Sequence, residues 1–172
     1  MDARLTDEQN RIRETAADFI DSVGGIELAR RRMAGDRQVI SELWADLADL
    51  DYTGITVPFD HGGFGEGMVY LTALLEVAGR YALPGPLPET AAFAVPLIDQ
   101  LGTDDQRERY LESVAAGDRK FSFALYDDRN ESLPEAIQME AAETAGGYEL
   151  SGTKTLVPYA DAAKKRGIEV IH

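Results

Sequence analysis

The sequence predicts a mainly α fold, a bundle of five to six helices followed by an incomplete antiparallel β-segment. Apolar residues recur at helical spacing in the segments before Gly117, and after this glycine they alternate as they do in strands. The 172 residues are 44% hydrophobic, which is typical of a globular core rather than a disordered chain. We therefore expect a helical domain over residues 1–118 and the start of a β-domain over residues 119–172.

Three amphipathic segments open the chain. The first begins at Thr6-Asp7-Glu8-Gln9, a capping box with a hydroxyl at N-cap and a glutamine at N3, and it ends at Gly24-Gly25. A short basic helix is expected over residues 26–34, and Asp36 can cap a third helix. Trp44 is expected to be a core anchor on the third helix, whose apolar face is Val39, Ile40, Leu43, Trp44, Leu47 and Leu50.

Residues 51–67 have the pattern of a loop. Ile55-Thr56-Val57 is too short for a helix, and Pro58 and four glycines follow it. A fourth helix is expected over residues 68–82. It must stop at the segment 83–88, because each proline there lacks an amide donor and clashes with the preceding turn.

Two more helices precede the β-segment. An apolar helix is expected over residues 89–101. A second capping box, Thr103-Asp104-Asp105-Gln106, begins the last helix, which ends near Gly117. Helices packed as a bundle can bury their apolar faces against one another.

The remaining residues read as strands. Residues 120–126 and 137–144 are two candidates, and Gly146-Gly147 predicts the turn of a hairpin. The β pattern continues over residues 154–157, whereas residues 164–172 contain no recognisable final element. Because so few strands cannot close a sheet, we expect exposed strand edges and association of copies through this segment.

The composition excludes several classes of function. The 31 acidic residues exceed the 17 basic ones, and a formal charge of −14 opposes binding to nucleic acid or to anionic lipid. No apolar run is long enough to span a membrane. Cysteine is absent, which removes disulfides, thiolate catalysis and cysteine metal sites. We predict a cytoplasmic protein with no nucleic-acid partner, no membrane and no metal.

Four segments then suggest a family. They are Leu5-Thr6-Asp7-Glu8-Gln9, the loop from Gly54-Ile55-Thr56-Val57-Pro58 to Gly62-Gly63-Phe64-Gly65, the helix from Gly102 to Gly117, and Gly147-Tyr148-Glu149-Leu150-Ser151-Gly152-Thr153-Lys154. In order and in approximate spacing they resemble the acyl-CoA dehydrogenase family. The loop is similar to its VP-x-x-x-GG-x-G motif and the last segment to its GY-x-L-x-G-x-K hairpin.

The resemblance implies an architecture and a chemistry. Members have an N-terminal helical domain, a middle β-domain and a C-terminal bundle, and they use FAD to oxidise an acyl-CoA thioester. Electrons then pass to an acceptor flavoprotein. The carboxylate that removes the α-proton belongs to the C-terminal bundle, so this chain is expected to contain no catalytic residue and to be inactive by itself.

The resemblance also implies positions for the ligands. Contacts to the cofactor are expected from Phe123, Leu125, Tyr126, Ser132, Leu156 and Pro158. The helix from Thr90 to Leu101 would line the acyl pocket. Its predicted contacts are Ala91, Ala94, Val95 and Ile98. An equally supported alternative is that the alanines of this helix simply permit close helix packing.

Three departures from the family pattern predict weakened FAD binding. Tyr126 stands where the family has a threonine, Glu131 replaces a glycine near the phosphates, and Pro158 replaces a residue with a hydroxyl and an amide donor. Three interpretations stay open: part of a catalytic dehydrogenase, a non-catalytic subunit that pairs with an active homologue in a homo- or hetero-oligomer, or an inactive truncated product.

Overall fold

The computed structural model describes residues 4–127, 137, 139–160 and 168–171, and it confirms the mainly helical fold. Within these residues there are six α-helices: α1 (Asp7–Ser22), α2 (Glu27–Met33), α3 (Gln38–Asp49), α4 (Met68–Arg80), α5 (Val95–Leu101) and α6 (Asp104–Ala115). The strands are β1 (Lys120–Phe123), β2 (Glu140–Thr144), β3 (Gly147–Ser151) and β4 (Ile168–Ile171). None of the described helices is both long enough and apolar enough to cross a bilayer.

Side-chain hydrogen bonds satisfy backbone amides at the N-termini of several helices, as the sequence predicts. Thr6 Oγ1 accepts the Gln9 N–H at 3.2 Å, and Gln9 Oε1 accepts the Thr6 N–H at 2.9 Å. Thr103 and Gln106 form the same reciprocal pair at the start of α6. The Asp36 carboxylate accepts the first amide of α3 at 2.9 Å, although the N-cap residue of this helix is Arg37 and not Asp36. Local side-chain chemistry therefore fixes these three boundaries.

Two apolar cores stabilise the helical part. The first lies between α1, α3 and α4, and the second joins α5 and α6 to β1 through Phe121. Trp44 is only 3% exposed, which confirms it as a core residue. Its indole N–H donates to Gly117 O at 2.8 Å, and the Lys120 ammonium lies 5.3 Å from its ring centroid. This single side chain thus links the helices to the first strand.

The loop between α3 and α4 is tightly folded. It contains short 3₁₀ turns at Tyr52–Gly54 and Phe59–His61. A Cβ on Gly63 would lie 2.2 Å from Val57 O, so only glycine fits at this position. Gly63 of the predicted loop is therefore required by the close approach of two backbone segments.

The helix predicted over residues 89–101 begins with a π-helical turn, Glu89–Ala94, which continues into α5. The Thr90 hydroxyl accepts the Phe121 N–H at 2.9 Å and donates to Phe121 O at 3.2 Å. Thr56 Oγ1 donates to Ala91 O at 2.8 Å. The Thr90 side chain thereby acts as a pairing partner for one edge of β1.

The β-segment forms two separate two-stranded sheets. Strands β2 and β3 form the predicted antiparallel hairpin, from the pair Glu140–Ser151 to the pair Thr144–Gly147. Strand β1 pairs with β4 in parallel, so the prediction of no element over residues 164–172 was wrong for residues 168–171. Parallel pairing of distant segments leaves no local sequence signal.

The prediction of a strand over residues 154–157 was also wrong. Only Thr155 pairs there, in an isolated bridge to Tyr126. Leu156 has a φ of 50°, a left-handed conformation that interrupts a strand. The predicted domain boundary after residue 118 falls between α6 and β1, and it stays a prediction.

Candidate functional site

Most of the predicted cofactor contacts lie on two neighbouring chain segments. The Tyr126 carbonyl accepts the Thr155 N–H at 2.7 Å, which brings the end of β1 beside the segment that follows Lys154. The Ser122 hydroxyl donates to the Pro158 carbonyl. Phe123, Leu125 and Tyr126 therefore lie near Leu156 and Pro158, whereas Ser132 lies outside the described residues.

An exposed aromatic surface adjoins these segments. The Phe93 and Phe123 rings are stacked, with centroids 5.7 Å apart and planes inclined by 12°. Phe93 is 55% exposed although it is aromatic, and Leu156 is 67% exposed. Sequence reasoning missed Phe93. The signal available in the sequence was the spacing of Phe93, Leu97 and Leu101, which are four residues apart and so lie on one face of a helix. The structure shows that all three side chains are exposed.

A buried ion pair holds the two segments together. Lys154 Nζ lies 2.5 Å from Asp127 Oδ1, and both side chains are buried. Asp127 Oδ2 accepts the Met139 N–H at 3.2 Å, and the Thr155 hydroxyl donates to Asp127 O at 2.9 Å. Lys154 also donates to Leu125 O at 3.3 Å. The lysine of the hairpin motif is therefore a structural partner of Asp127, a pairing that the sequence did not reveal.

The described residues fit one part of FAD and not the other. The half-buried Phe123 and Leu125 and the exposed Leu156 offer an apolar surface of the kind that a flavin ring contacts. The cations of the described β-segment all have partners within the chain: Arg119 on Tyr110, Lys120 on Trp44, and Lys154 on Asp127.

The predicted acyl contacts are fully packed. Ala91 belongs to the first core, and Ala94, Val95 and Ile98 belong to the second. In this structure they serve close helix packing, the alternative that the sequence left open. A role in lining an acyl pocket stays a prediction.

A separate apolar cavity of about 170 Å³ lies between α3, α4 and the proline-containing segment. Sequence reasoning did not anticipate it. Its position next to Pro88 places it one residue before the π-helical turn. The residues that line it are Ile40, Leu43, Trp44, Leu47, Leu75, Ala78, Gly79, Ala82, Leu83, Pro84, Gly85, Leu87 and Pro88.

Glu89, like Asp127, is an acidic residue that lies at least partly buried. Its Oε2 atom is buried and has no hydrogen-bond partner among the described residues. Burial raises the pKa of the Glu89 carboxyl above its ordinary value, and a hydrogen bond from its own backbone N–H opposes this shift. Glu89 is the first residue of the π-helical turn.

Comparison with known proteins identifies the helical part. Residues 6–118 match the family model "Acyl-CoA dehydrogenase, N-terminal domain". The chain is 32% identical to benzylmalonyl-CoA dehydrogenase of Aromatoleum aromaticum, with 95% of this chain and 43% of that protein covered. It is 27% identical to the acyl-CoA dehydrogenase FadE12 of Mycobacterium tuberculosis, with 92% of this chain and 41% of that protein covered.

The fold is shared as well. The ChsE4-ChsE5 complex from Mycobacterium tuberculosis contains a chain that superposes with a TM-score of 0.81 at 26% identity, covering 94% of this chain and 43% of that one. The protein thus spans well under half the length of these relatives. With its N-terminal domain matched over residues 6–118, the chain belongs to the acyl-CoA dehydrogenase family.

Proposed function

We propose that this chain is part of a flavin-dependent acyl-CoA dehydrogenase. The reaction removes a proton from the α-carbon and a hydride from the β-carbon of an acyl-CoA thioester, and FAD accepts the hydride when bound. The observation that carries the proposal is the pairing of Tyr126 with Thr155, which brings the predicted cofactor contacts together beside an exposed aromatic surface.

The residues of this chain would have binding roles. Phe123, Leu125, Tyr126, Leu156 and Pro158 would contact one face of the flavin ring. The helix that carries Ala91, Ala94, Val95 and Ile98 would form a wall of the acyl site. The α-proton needs a carboxylate base beside it, and we propose that this base lies outside the chain.

We further propose that the isolated chain binds flavin weakly and makes no stabilising contact with the phosphates of FAD. Pro158 has no amide N–H to donate, and the described cations of the β-segment, Arg119, Lys120 and Lys154, already have partners within the chain. The pyrophosphate therefore gains no partner from these residues. FAD and riboflavin should bind with similar affinities, because only the shared ring is recognised.

Flavin titration followed by fluorescence tests this idea. Leu156→Asp should abolish binding, because a carboxylate would replace the exposed apolar contact. Leu150→Asp is a matched control, since Leu150 is also exposed but lies in the hairpin. Much tighter binding of FAD than of riboflavin, or equal loss in both variants, would contradict the proposal.

Turnover is tested by mixing the chain with FAD and a panel of straight-chain and aryl acyl-CoA thioesters. We expect no bleaching of the flavin, because the chain supplies no base. Aryl thioesters belong in the panel because the exposed Phe93 ring, stacked on the half-buried Phe123, favours contact with an aromatic group, and because one relative is a benzylmalonyl-CoA dehydrogenase. Substrate-dependent bleaching by the chain alone would show that the base lies within it.

A second candidate is a non-catalytic subunit of a mixed oligomer. The substitutions at Tyr126 and Pro158 favour it, and one structural relative was solved as a complex of two different chains. Co-expression with an active homologue and copurification would separate the candidates. A flavin-loaded homo-oligomer would exclude the non-catalytic subunit. A yellow protein that its substrate reduces would exclude an inactive truncated product. The acceptor flavoprotein and the cytoplasmic location stay predictions.

A further inference from the structure

A tyrosine that follows the cofactor-facing segment makes a long-range contact. The Tyr159 hydroxyl oxygen accepts the Gly85 N–H at 2.9 Å, across 74 residues of sequence. The Tyr159 ring is half-buried and packs against the first core. One side chain thus connects the segment after Lys154 with the proline-containing segment that lines the apolar cavity.

The proline-containing segment packs against the first core through Leu83 and Leu87, but it has few backbone donors. Pro84, Pro86 and Pro88 have no amide N–H, so half of residues 83–88 cannot donate a backbone hydrogen bond. Gly85 has a φ of 133° and lies against Ile40, so its backbone conformation is one that only glycine adopts readily. The Gly85 N–H is therefore one of a few donors that can fix this wall, and Tyr159 accepts it.

The position of Tyr159 is itself strongly determined. Leu156 and Tyr159 have φ values of 50° and 55°, left-handed conformations that side chains other than glycine rarely adopt. Such strain persists only where surrounding contacts impose it. Here the contacts are the bridge between Thr155 and Tyr126 on one side and the bond to Gly85 on the other.

We propose that Tyr159 is a positioning residue, which fixes the wall of the apolar cavity and ties it to the segment carrying Leu156 and Pro158. A role in the dehydrogenase reaction rests on the proposed function, whereas the fixing of the wall does not. The cavity of about 170 Å³ is close to the size of an engineered apolar cavity that binds benzene. Benzene is therefore a suitable probe of its shape.

The test compares Tyr159→Phe with Tyr148→Phe in the complete 172-residue chain. The first variant keeps the ring and loses only the acceptor oxygen. The second removes a hydroxyl from an exposed tyrosine of the hairpin and serves as a matched control. Amide hydrogen exchange is measured at Gly85, and benzene binding is followed by NMR at the methyl groups of Leu75 and Ala78.

In Tyr159→Phe we expect exchange at Gly85 to accelerate roughly tenfold and benzene affinity to fall by a similar factor, the effect of losing one such hydrogen bond. Tyr148→Phe should change neither quantity. Unchanged exchange and unchanged affinity in Tyr159→Phe would overturn the proposal.

A measurement on the unaltered chain keeps the test decisive if the variant does not fold. Exchange at Gly85 should be slower than in an unstructured peptide, and an unprotected Gly85 amide would overturn the proposal directly. Because none of these experiments uses flavin or acyl-CoA, their outcome is independent of the dehydrogenase assignment. A failure of the proposed function would leave the Tyr159 result standing.

Discussion

The helical part and the β-segment of this chain are stabilised in different ways. The helices contribute most of the residues of two apolar cores, and α1 and α6 begin at reciprocal capping boxes. The hairpin of β2 and β3 is exposed along its whole length. Within the described residues, β1 enters the second core through Phe121 and is bonded to Thr90, whereas the segments around Asp127 and Lys154 depend on individual polar contacts, above all their ion pair.

This difference has a functional meaning. The helices are stabilised mainly by buried apolar surface. The segments that carry most of the predicted cofactor contacts are held in place largely by a few hydrogen bonds and one ion pair. Regions with little buried apolar surface open locally at a lower free energy than the core does. We therefore expect the β-segment to open separately from the helices unless other protein surfaces cover it.

The largest change in the free energy of unfolding is expected from substitution of Trp44, because this side chain packs in the helical core and also contacts Lys120 of β1. Trp44→Ala should lower the free energy of unfolding by about 3–5 kcal/mol, because it leaves a large cavity. It also removes the donor to Gly117 and the aromatic face beneath Lys120. Urea denaturation measures the loss, and Trp44→Phe should retain a substantial part of the packing. A loss below about 1 kcal/mol would show that Trp44 does not connect the two parts.

Breaking the ion pair should affect the β-segment alone. Lys154→Met leaves the Asp127 carboxylate buried without its partner, at a cost of about 3 kcal/mol. Exchange at the Met139 and Thr155 amides should accelerate, while the amides of α1 keep their protection. This pattern would distinguish local opening from global unfolding.

The double variant Asp127→Asn with Lys154→Met is the control. Asparagine keeps a carbonyl oxygen for the Met139 N–H, and no buried charge then lacks a partner. Most of the lost protection should return, because an uncharged pair avoids the desolvation cost. If the α1 amides open together with Met139 in the single variant, the two parts are one cooperative unit.

Thr90 offers a smaller and more local test. Thr90→Val conserves the shape of the side chain but leaves the Phe121 N–H without its acceptor in the core, at a cost of about 1–3 kcal/mol. Thr90→Ser keeps the hydroxyl and should lose much less. Urea denaturation gives the free energies, and amide exchange at Phe121 locates the change. Equal losses in the two variants would mean that the methyl group, and not the hydroxyl, is important.

The helices could be predicted because their signals are local. Thr6 and Gln9 are three residues apart, and the residues of the apolar face of α3 all lie within one short segment. Trp44 followed from the same periodicity. In such cases the interacting groups are neighbours in sequence, so composition and spacing specify the structure.

The contacts of the candidate site could not be predicted because their partners are distant in sequence. Nothing near Lys154 indicates Asp127, and nothing near Gly85 indicates Tyr159. The left-handed conformation of Leu156 results from contacts made on both sides of it, so a strand pattern alone gave the wrong answer. The resemblance to a family located the segments, but pairing and burial depend on tertiary structure.

Substitution of Glu89 has the smallest expected effect on the free energy of unfolding. The pH dependence of this effect is opposite to that of an acidic residue whose pKa is lowered on folding. Because burial raises the pKa of Glu89 in the folded chain above the ordinary value of 4.5, the folded state binds this proton more tightly than the unfolded state does. The resulting stability is fully present at pH values below 4.5 and is lost as the pH rises through the higher folded-state pKa.

Glu89→Gln should therefore stabilise the chain near neutral pH and leave its stability unchanged under acidic conditions. The gain should not exceed about 1 kcal/mol, because the carboxylate is partly exposed and solvent screens its charge. Urea denaturation at a series of pH values from acidic to neutral measures the difference between the variant and the unaltered chain. Glu108→Gln, at an exposed position on α6, is the control for replacing a surface carboxylate by an amide. A variant that is less stable than the unaltered chain near neutral pH would contradict this prediction. It would mean that the ionised Glu89 carboxylate has a favourable partner and stabilises the folded state.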